Sequence, residues 1–283
     1  MSKMKLVPPC SYQGGKQRLA KQIVDIMFEQ NDINEETKFY DLCCGSGAIT
    51  LELINRGISP HNITMVDMSP WGIFWESIGK GTFSQEVFKI YIDAIPKDIT
   101  KIKDHAEKII KQPANNGLMD NMVYNFLILQ ACAFGSTATW VEDNKWVKAG
   151  GLRNYWLPTE TSNRKSPVNP MMPMPDTLFK RVENIIKGAK GVIGMCCDAN
   201  DIIIKENSIV YIDPPYIGTQ DYGYLFDYIS YIKNIKKSKV YISEGHRIDV
   251  AKENILLSKG RNKGNINGKL NKKPIEEWLN IFN

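Results

Sequence analysis

The tetrapeptide Asp213-Pro214-Pro215-Tyr216 sets an acid, two prolines and an aromatic ring at the end of the apolar run Ile209-Val210-Tyr211-Ile212. The run has the β-branched and aromatic content of a buried strand. Neither proline has an N–H, and both fix φ, so a sheet ladder must stop there. Asp213 precedes a proline and is pushed toward extended backbone. These residues therefore make a stiff loop at a strand's carboxyl end. In such a loop the Pro214 carbonyl and the Asp213 carboxylate can both accept from one planar –NH2 group. Two acceptors on one amine orient its nitrogen lone pair and offset the positive charge that develops as the nitrogen attacks. Tyr216 can stack on the ring that carries the amine.

A second constellation lies in "DLCCGSGA", residues 41–48. Asp41 opens a glycine turn, and Gly45 and Gly47 let a ligand approach the backbone closely. A dinucleotide fingerprint needs a third glycine at a fixed offset, and Ile49-Thr50-Leu51 does not supply it. Asp67 closes the next apolar run, "ITMV". An acid at that place can bond a ribose through its two hydroxyls, or can serve as a helix N-cap. Gly45, Gly47 and Asp67 together outline a pocket for a nucleoside-bearing cofactor. Nearer the start, "SYQGGKQR" sets Lys16 beside Gly14 and Gly15. It lacks the distant first glycine and the Ser or Thr of a Walker phosphate loop, but it suits a carboxylate or other anion at a helix start.

These groups need a scaffold that brings strand ends together. Leu19, Ile23, Ile26 and Met27 have helical spacing. "TKFYDLCCGSGAITLELINRG" reads strand, glycine turn, helix, with Gly57 as a stop. With "ITMVDMS" it makes a βαβ beginning, the mark of a parallel sheet with helices on its faces. Strand character returns at "GVIGMCCDAND" and continues through "KVYISEGH". Between them, residues 76–186 are first helical and then loop-rich. The tail "KGRNKGNINGKLNKKPIEEWLNIF" reads as a basic loop closed by an anchoring strand or helix. The expected fold is α/β: a Rossmann-like sheet, formed by residues 1–75 and 187–283, interrupted by an inserted, mainly helical and loop-rich region at 76–186.

The chain has 283 residues, 43% hydrophobic and 24% charged, with a net charge of +5. That is an ordinary globular balance with room for an anionic partner. No apolar run approaches the roughly 20 residues of a membrane span, and the N-terminus has no apolar signal core. The expectation is a cytoplasmic protein, monomeric by default. The six cysteines, Cys10, Cys43, Cys44, Cys132, Cys196 and Cys197, form no C-x-x-C, and the three histidines are scattered. No metal site is expected on that spacing, and the thiols read as reduced and mostly buried.

Taken in order, "YQGGK", "DLCCGSGA", the strand-end Asp67, "CCDA" and "DPPY" resemble the D12 class of Dam-like DNA adenine-N6 methyltransferases. The resemblance covers most of residues 7–216 and fades afterwards. It implies S-adenosyl-L-methionine as cofactor. Tyr12, Gly14, Gly15 and Lys16 would then contact its methionine end, Asp41 to Gly47 would cradle that end, Asp67 would hold the ribose and Asp198 would read the adenine. Asp213 to Tyr216 would hold a target adenine flipped out of double-stranded DNA, whose N6 takes the methyl directly, with no cysteine nucleophile. The chain departs from the family at Tyr12, where tryptophan is usual, at Asp41-Leu42-Cys43, where Glu-Pro-Phe is frequent, and at Ala199, where an aromatic is common. Asp at the head of the tetrapeptide favours adenine in DNA. RNA adenine, cytosine N4 and a catalytically degenerate DNA-binding relative remain as alternatives.

The resemblance makes the insert a target-recognition region; within it Lys145, Lys148, Arg153, Arg164 and Lys165 are candidates for phosphate contacts, and Arg153, Asn154 and Tyr155 for base-edge or wedge contacts. Lys259, Arg261, Lys263, Lys269, Lys272 and Lys273 form a second basic stretch able to track a nucleic-acid backbone.

Overall fold

The computed structural model describes residues 5–115, 119–153, 158–163, 173–215, 226–259 and 276–283. In chain order they form helix α1 (Ala20–Glu29), strand β1 (Phe39–Leu42), α2 (Ala48–Asn55), β2 (Ile63–Val66), α3 (Pro70–Lys80), α4 (Gln85–Asp93), α5 (Ile102–Ile110) and α6 (Met119–Cys132). A hairpin of β3 (Thr139–Glu142) and β4 (Lys145–Lys148) follows, then α7 (Pro175–Gly188) and β5 (Ile193–Met195). The rest is β6 (Ile209–Ile212), α8 (Tyr228–Ile232), β7 (Lys239–Glu244), β8 (Glu253–Ser258) and β9 (Glu277–Phe282).

Seven of the strands make one α/β sheet in the order β5-β2-β1-β6-β7-β9-β8. The pairs from β5 to β7 are parallel, and β9 runs antiparallel between β7 and β8. This mostly parallel arrangement is compatible with a Rossmann-like architecture. Strands β1 and β6 are buried along their whole length, which is why they read as unbroken apolar runs. Their side chains divide by the period of two. Phe39, Ile209 and Tyr211 face one core with Ile23, Met27, Leu51 and Trp75 of the helices. Tyr40, Leu42, Val210 and Ile212 face a smaller core with Tyr228, Tyr231 and Ile232 of α8.

The larger core runs on into residues 76–186. Trp71 of α3 meets Phe126 of α6 edge-on at 5.0 Å, and Phe74 meets Phe83 at 5.6 Å. Packed rings therefore cross the position where the sheet was expected to hand over to an inserted region. Among the described residues, no helix is long and apolar enough to cross a membrane, and no group of three His, Cys, Asp or Glu is placed to hold a metal ion. All six cysteines are free.

Candidate active site

The site lies where the strand order reverses. From β1 the chain moves outward through β2 to β5, then crosses back to β6 on the other side of β1. Loops leaving neighbouring strands there turn to opposite faces and open a crevice at the carboxyl ends. Leu42 and Ile212 are in register, and the Asp213 N–H donates to the Leu42 carbonyl at 3.2 Å. Asp213 thus emerges beside the Asp41–Gly47 turn. The crevice is a cavity of about 710 Å3.

The glycine turn is held from three sides. The Gly45 N–H donates to Asp67 Oδ2 at 2.7 Å, and its carbonyl accepts from the Trp75 indole at 2.8 Å. The Tyr12 ring covers its Cα so closely that a Cβ would sit 2.9 Å from Cε1. Cys43 takes the left-handed conformation at φ 58°, which costs a non-glycine residue about 1 kcal/mol. Gly47 is not among the residues lining the cavity. Its φ is 76°, and a Cβ there would lie 2.3 Å from the Trp75 ring. The close approach at Gly47 is therefore made by a core tryptophan. Gly47→Ala should lower stability by about 2–4 kcal/mol, from the left-handed backbone and the displaced ring together. Thermal unfolding followed by circular dichroism checks this.

Asp41 is buried and accepts from the Thr50 N–H at 3.2 Å and its hydroxyl at 2.7 Å. Burial pushes its carboxyl up to about 7, against the pull of those bonds. Asp67 accepts from Gly45 through Oδ2, and from the Ser69 N–H at 2.9 Å and the Ser69 hydroxyl at 2.5 Å through Oδ1. It ties the end of β2 to the turn after β1. Burial raises its carboxyl too.

Lys16 sits at the centre of the site with its side chain 4% exposed. Its ammonium has three protons, and among the described residues it meets Asp213 Oδ1 at 2.6 Å, the Gly14 carbonyl at 2.7 Å and Glu277 Oε1 at 3.4 Å. Burial alone would lower its pKa, but the two carboxylates outweigh that and hold it above the ordinary value. Asp213 is pushed by burial up to about 6; Lys16 pulls it down and Glu277 pushes it up.

No family model matches this chain, and no curated protein matches its sequence.

The cavity gathers most of the residues singled out from sequence. Tyr12, Gly14, Gly15, Lys16, Asp41, Gly45, Asp67, Asp198, Asp213, Pro214 and Pro215 all line it. Tyr216 lies outside the described residues, as do Asn154, Tyr155, Arg164, Lys165, Arg261, Lys263, Lys269, Lys272 and Lys273. Lys145, Lys148 and Lys259 are exposed. Arg153, expected at a nucleic-acid surface, is instead 6% exposed. Its Nε donates to the Ala133 carbonyl and one terminal nitrogen donates to the Ser136 hydroxyl at 2.8 Å. Its charge serves to hold the loop after α6, where Gly135 and Ser136 are both left-handed. That loop, residues 134–137, borders the cavity and had no signal in the sequence reading. Glu277 also went unmarked, because it stands in a tail that reads as a basic loop and an apolar end.

Proposed function

We propose that this chain transfers a methyl group from S-adenosyl-L-methionine to the N6 amine of an adenine in double-stranded DNA. One observation carries the reading: Asp213 and Pro214, at the tip of β6, share a single cavity with the Asp41–Gly45 turn of β1, across the reversal of strand order. A methyl donor at the turn and an amine at the tetrapeptide would meet in that space.

The donor set of the cavity supports the choice of cofactor. Among the described residues its lining carries five carboxylates, Asp41, Asp67, Asp198, Asp213 and Glu277, against one lysine and no arginine. The ammonium of Lys16 already has acceptors for its three protons. Such a site disfavours a polyphosphate and favours a ligand with positive charge. S-adenosyl-L-methionine has a sulfonium and an ammonium, and a volume of about 710 Å3 lies within the range of pockets for molecules of that size. When bound, it supplies an electrophilic methyl group.

The chain's own residues do the rest. Asp67 and Asp198 would hold the nucleoside end, with Tyr12, Asp41 and the glycine turn at the amino-acid end. Asp213 and the Pro214 carbonyl accept from the target amine, direct its lone pair and offset the charge that grows on nitrogen. The two prolines keep these acceptors from moving. A base in a duplex cannot reach a recessed cavity, so it is flipped out at a cost of a few kcal/mol. Lys145 and Lys148, exposed on β4, are available to phosphates.

Two measurements test this. Calorimetry with S-adenosylhomocysteine should show binding, weakened about tenfold or more in Asp67→Ala, because the turn loses its anchor as well as the pocket its acid. Unchanged affinity would place the nucleoside elsewhere. Mass spectrometry of nucleosides from parallel incubations with duplex DNA and with RNA should find N6-methyladenine from the DNA. N4-methylcytosine, or modification of RNA alone, would replace the substrate.

A further inference from the structure

Glu277 is the first residue of β9, the antiparallel strand inserted between β7 and β8. Because β9 runs against its neighbours, its beginning lies at the end of the sheet where β1 and β6 finish. Trp278 stands opposite Glu244, the last residue of β7. Glu277 is therefore delivered to the same crevice from the far side of β6. Its side chain is 16% exposed and lies 3.4 Å from Lys16 Nζ, which holds Asp213 at 2.6 Å.

An ion pair of Lys16 with Asp213 alone would be neutral. With Glu277 the group carries a net charge of −1. We propose that Glu277 is a positioning residue: by sharing the Lys16 ammonium with Asp213 it keeps the tip of β6 net negative, so that Asp213 can receive an amine on which positive charge develops. The role in turnover rests on the methyltransferase reading; the coupling among the three side chains does not.

The groups facing Asp213 define what a test must separate. Lys16 comes from the N-terminal loop and Glu277 from β9. Asp41 comes from β1, Cys43 from the turn after it and Asp67 from the end of β2. Tyr211 comes from β6 itself, its hydroxyl 2.7 Å from that of Ser243. Of these, Glu277 and Asp67 both raise the Asp213 pKa and Lys16 lowers it. Glu277→Gln keeps the shape and removes one negative charge. The Asp213 carboxyl, which burial raises to about 6, should then titrate at lower pH.

The experiment is carbon-13 NMR of the full chain labelled at aspartate Cγ, with the Asp213 signal assigned from Asp213→Asn. Glu277→Gln should move the Asp213 midpoint down, and Glu277→Asp should restore it in part. An unmoved midpoint in folded Glu277→Gln would overturn the proposal. If Glu277→Gln does not fold, a Glu277→Asp titration identical to wild type would overturn it. In methyl transfer, Glu277→Gln should lower kcat by roughly ten- to hundredfold with KM for DNA unchanged, and its acid limb should move with the NMR midpoint. A kcat that stays at the wild-type level would overturn the role in turnover. A shifted midpoint together with a wild-type protein that methylates nothing would refute the methyltransferase reading and leave the coupling standing.

Discussion

Asp213→Asn is expected to cut methyl transfer to duplex DNA by at least about a hundredfold while leaving the protein folded. The substitution changes almost nothing in shape. It removes the negative charge and puts an amide donor in place of one acceptor oxygen, at the point where, in the proposed reaction, positive charge would grow on the substrate nitrogen. The fold should tolerate this because Lys16 keeps Glu277 at 3.4 Å and the Gly14 carbonyl at 2.7 Å, so its buried ammonium is not abandoned. The wild type should reproduce the same loss with acid. Burial raises the Asp213 carboxyl to about 6, so transfer should fall as pH drops through that value and the acceptor is protonated. The stability term has the opposite sign. A carboxyl whose pKa is raised on folding binds its proton more tightly in the native state. Between about pH 4 and about pH 6 the native state then holds more protons than the unfolded chain, and this contribution to stability declines as pH rises. Asp41, raised to about 7, adds to that decline. Across this range the transfer rate and the stability that Asp213 contributes, read as the melting-temperature difference between wild type and Asp213→Asn, should therefore move in opposite directions.

Lys16→Met should destabilise the protein by about 3–5 kcal/mol, the usual consequence of leaving buried charge without its partner. Methionine fills much the same space, so packing is nearly kept. What remains is Asp213 and Glu277 facing each other in a recess that also holds Asp41 and Asp67. The penalty should depend on pH in a definite direction. At neutral and higher pH both carboxylates repel. As the solution is made acid, Asp213 takes up a proton and the penalty eases. Without Lys16 the Asp213 pKa rises further, so the easing should begin above the value of about 6 to which burial raises it in the wild type. Urea denaturation of wild type and variant at two pH values checks this. A loss of the same size at both would mean that Lys16 contributes through packing and not charge.

The parts of the site that are local in sequence could be read from it. The strand ending in Asp213-Pro214-Pro215 is marked by residue types that admit little else, and β6 ends at Ile212. The turn after β1, the strand before Asp67 and the helix after Lys16 are marked by glycine, alternation and helical spacing in the same way. Lys16 lines the cavity, and it also reaches Asp213, the Gly14 carbonyl and Glu277. The preference of a buried ammonium for a carboxylate 197 residues away leaves no trace in the eight residues around it. Gly47 looked like a ligand approach because glycine marks any close contact, and only the fold identifies the Trp75 ring as the neighbour. Arg153 looked like a surface charge in a polar loop; the Ala133 carbonyl and the Ser136 hydroxyl hold it inward. Glu277 was invisible because its place depends on β9 entering the sheet antiparallel, a pairing fixed by partners in β7 and β8 and by no motif of its own.

The most direct measurement is transfer itself. The protein is incubated with methyl-deuterated S-adenosyl-L-methionine and mixed-sequence duplex DNA, the DNA is digested to nucleosides, and labelled bases are sought by mass spectrometry beside an Asp213→Asn control. Labelled N6-methyladenine from the wild type, absent or at least about a hundredfold lower in the control, is the predicted result. No labelled base from a preparation that binds S-adenosylhomocysteine, or equal labelling by the control, would contradict it.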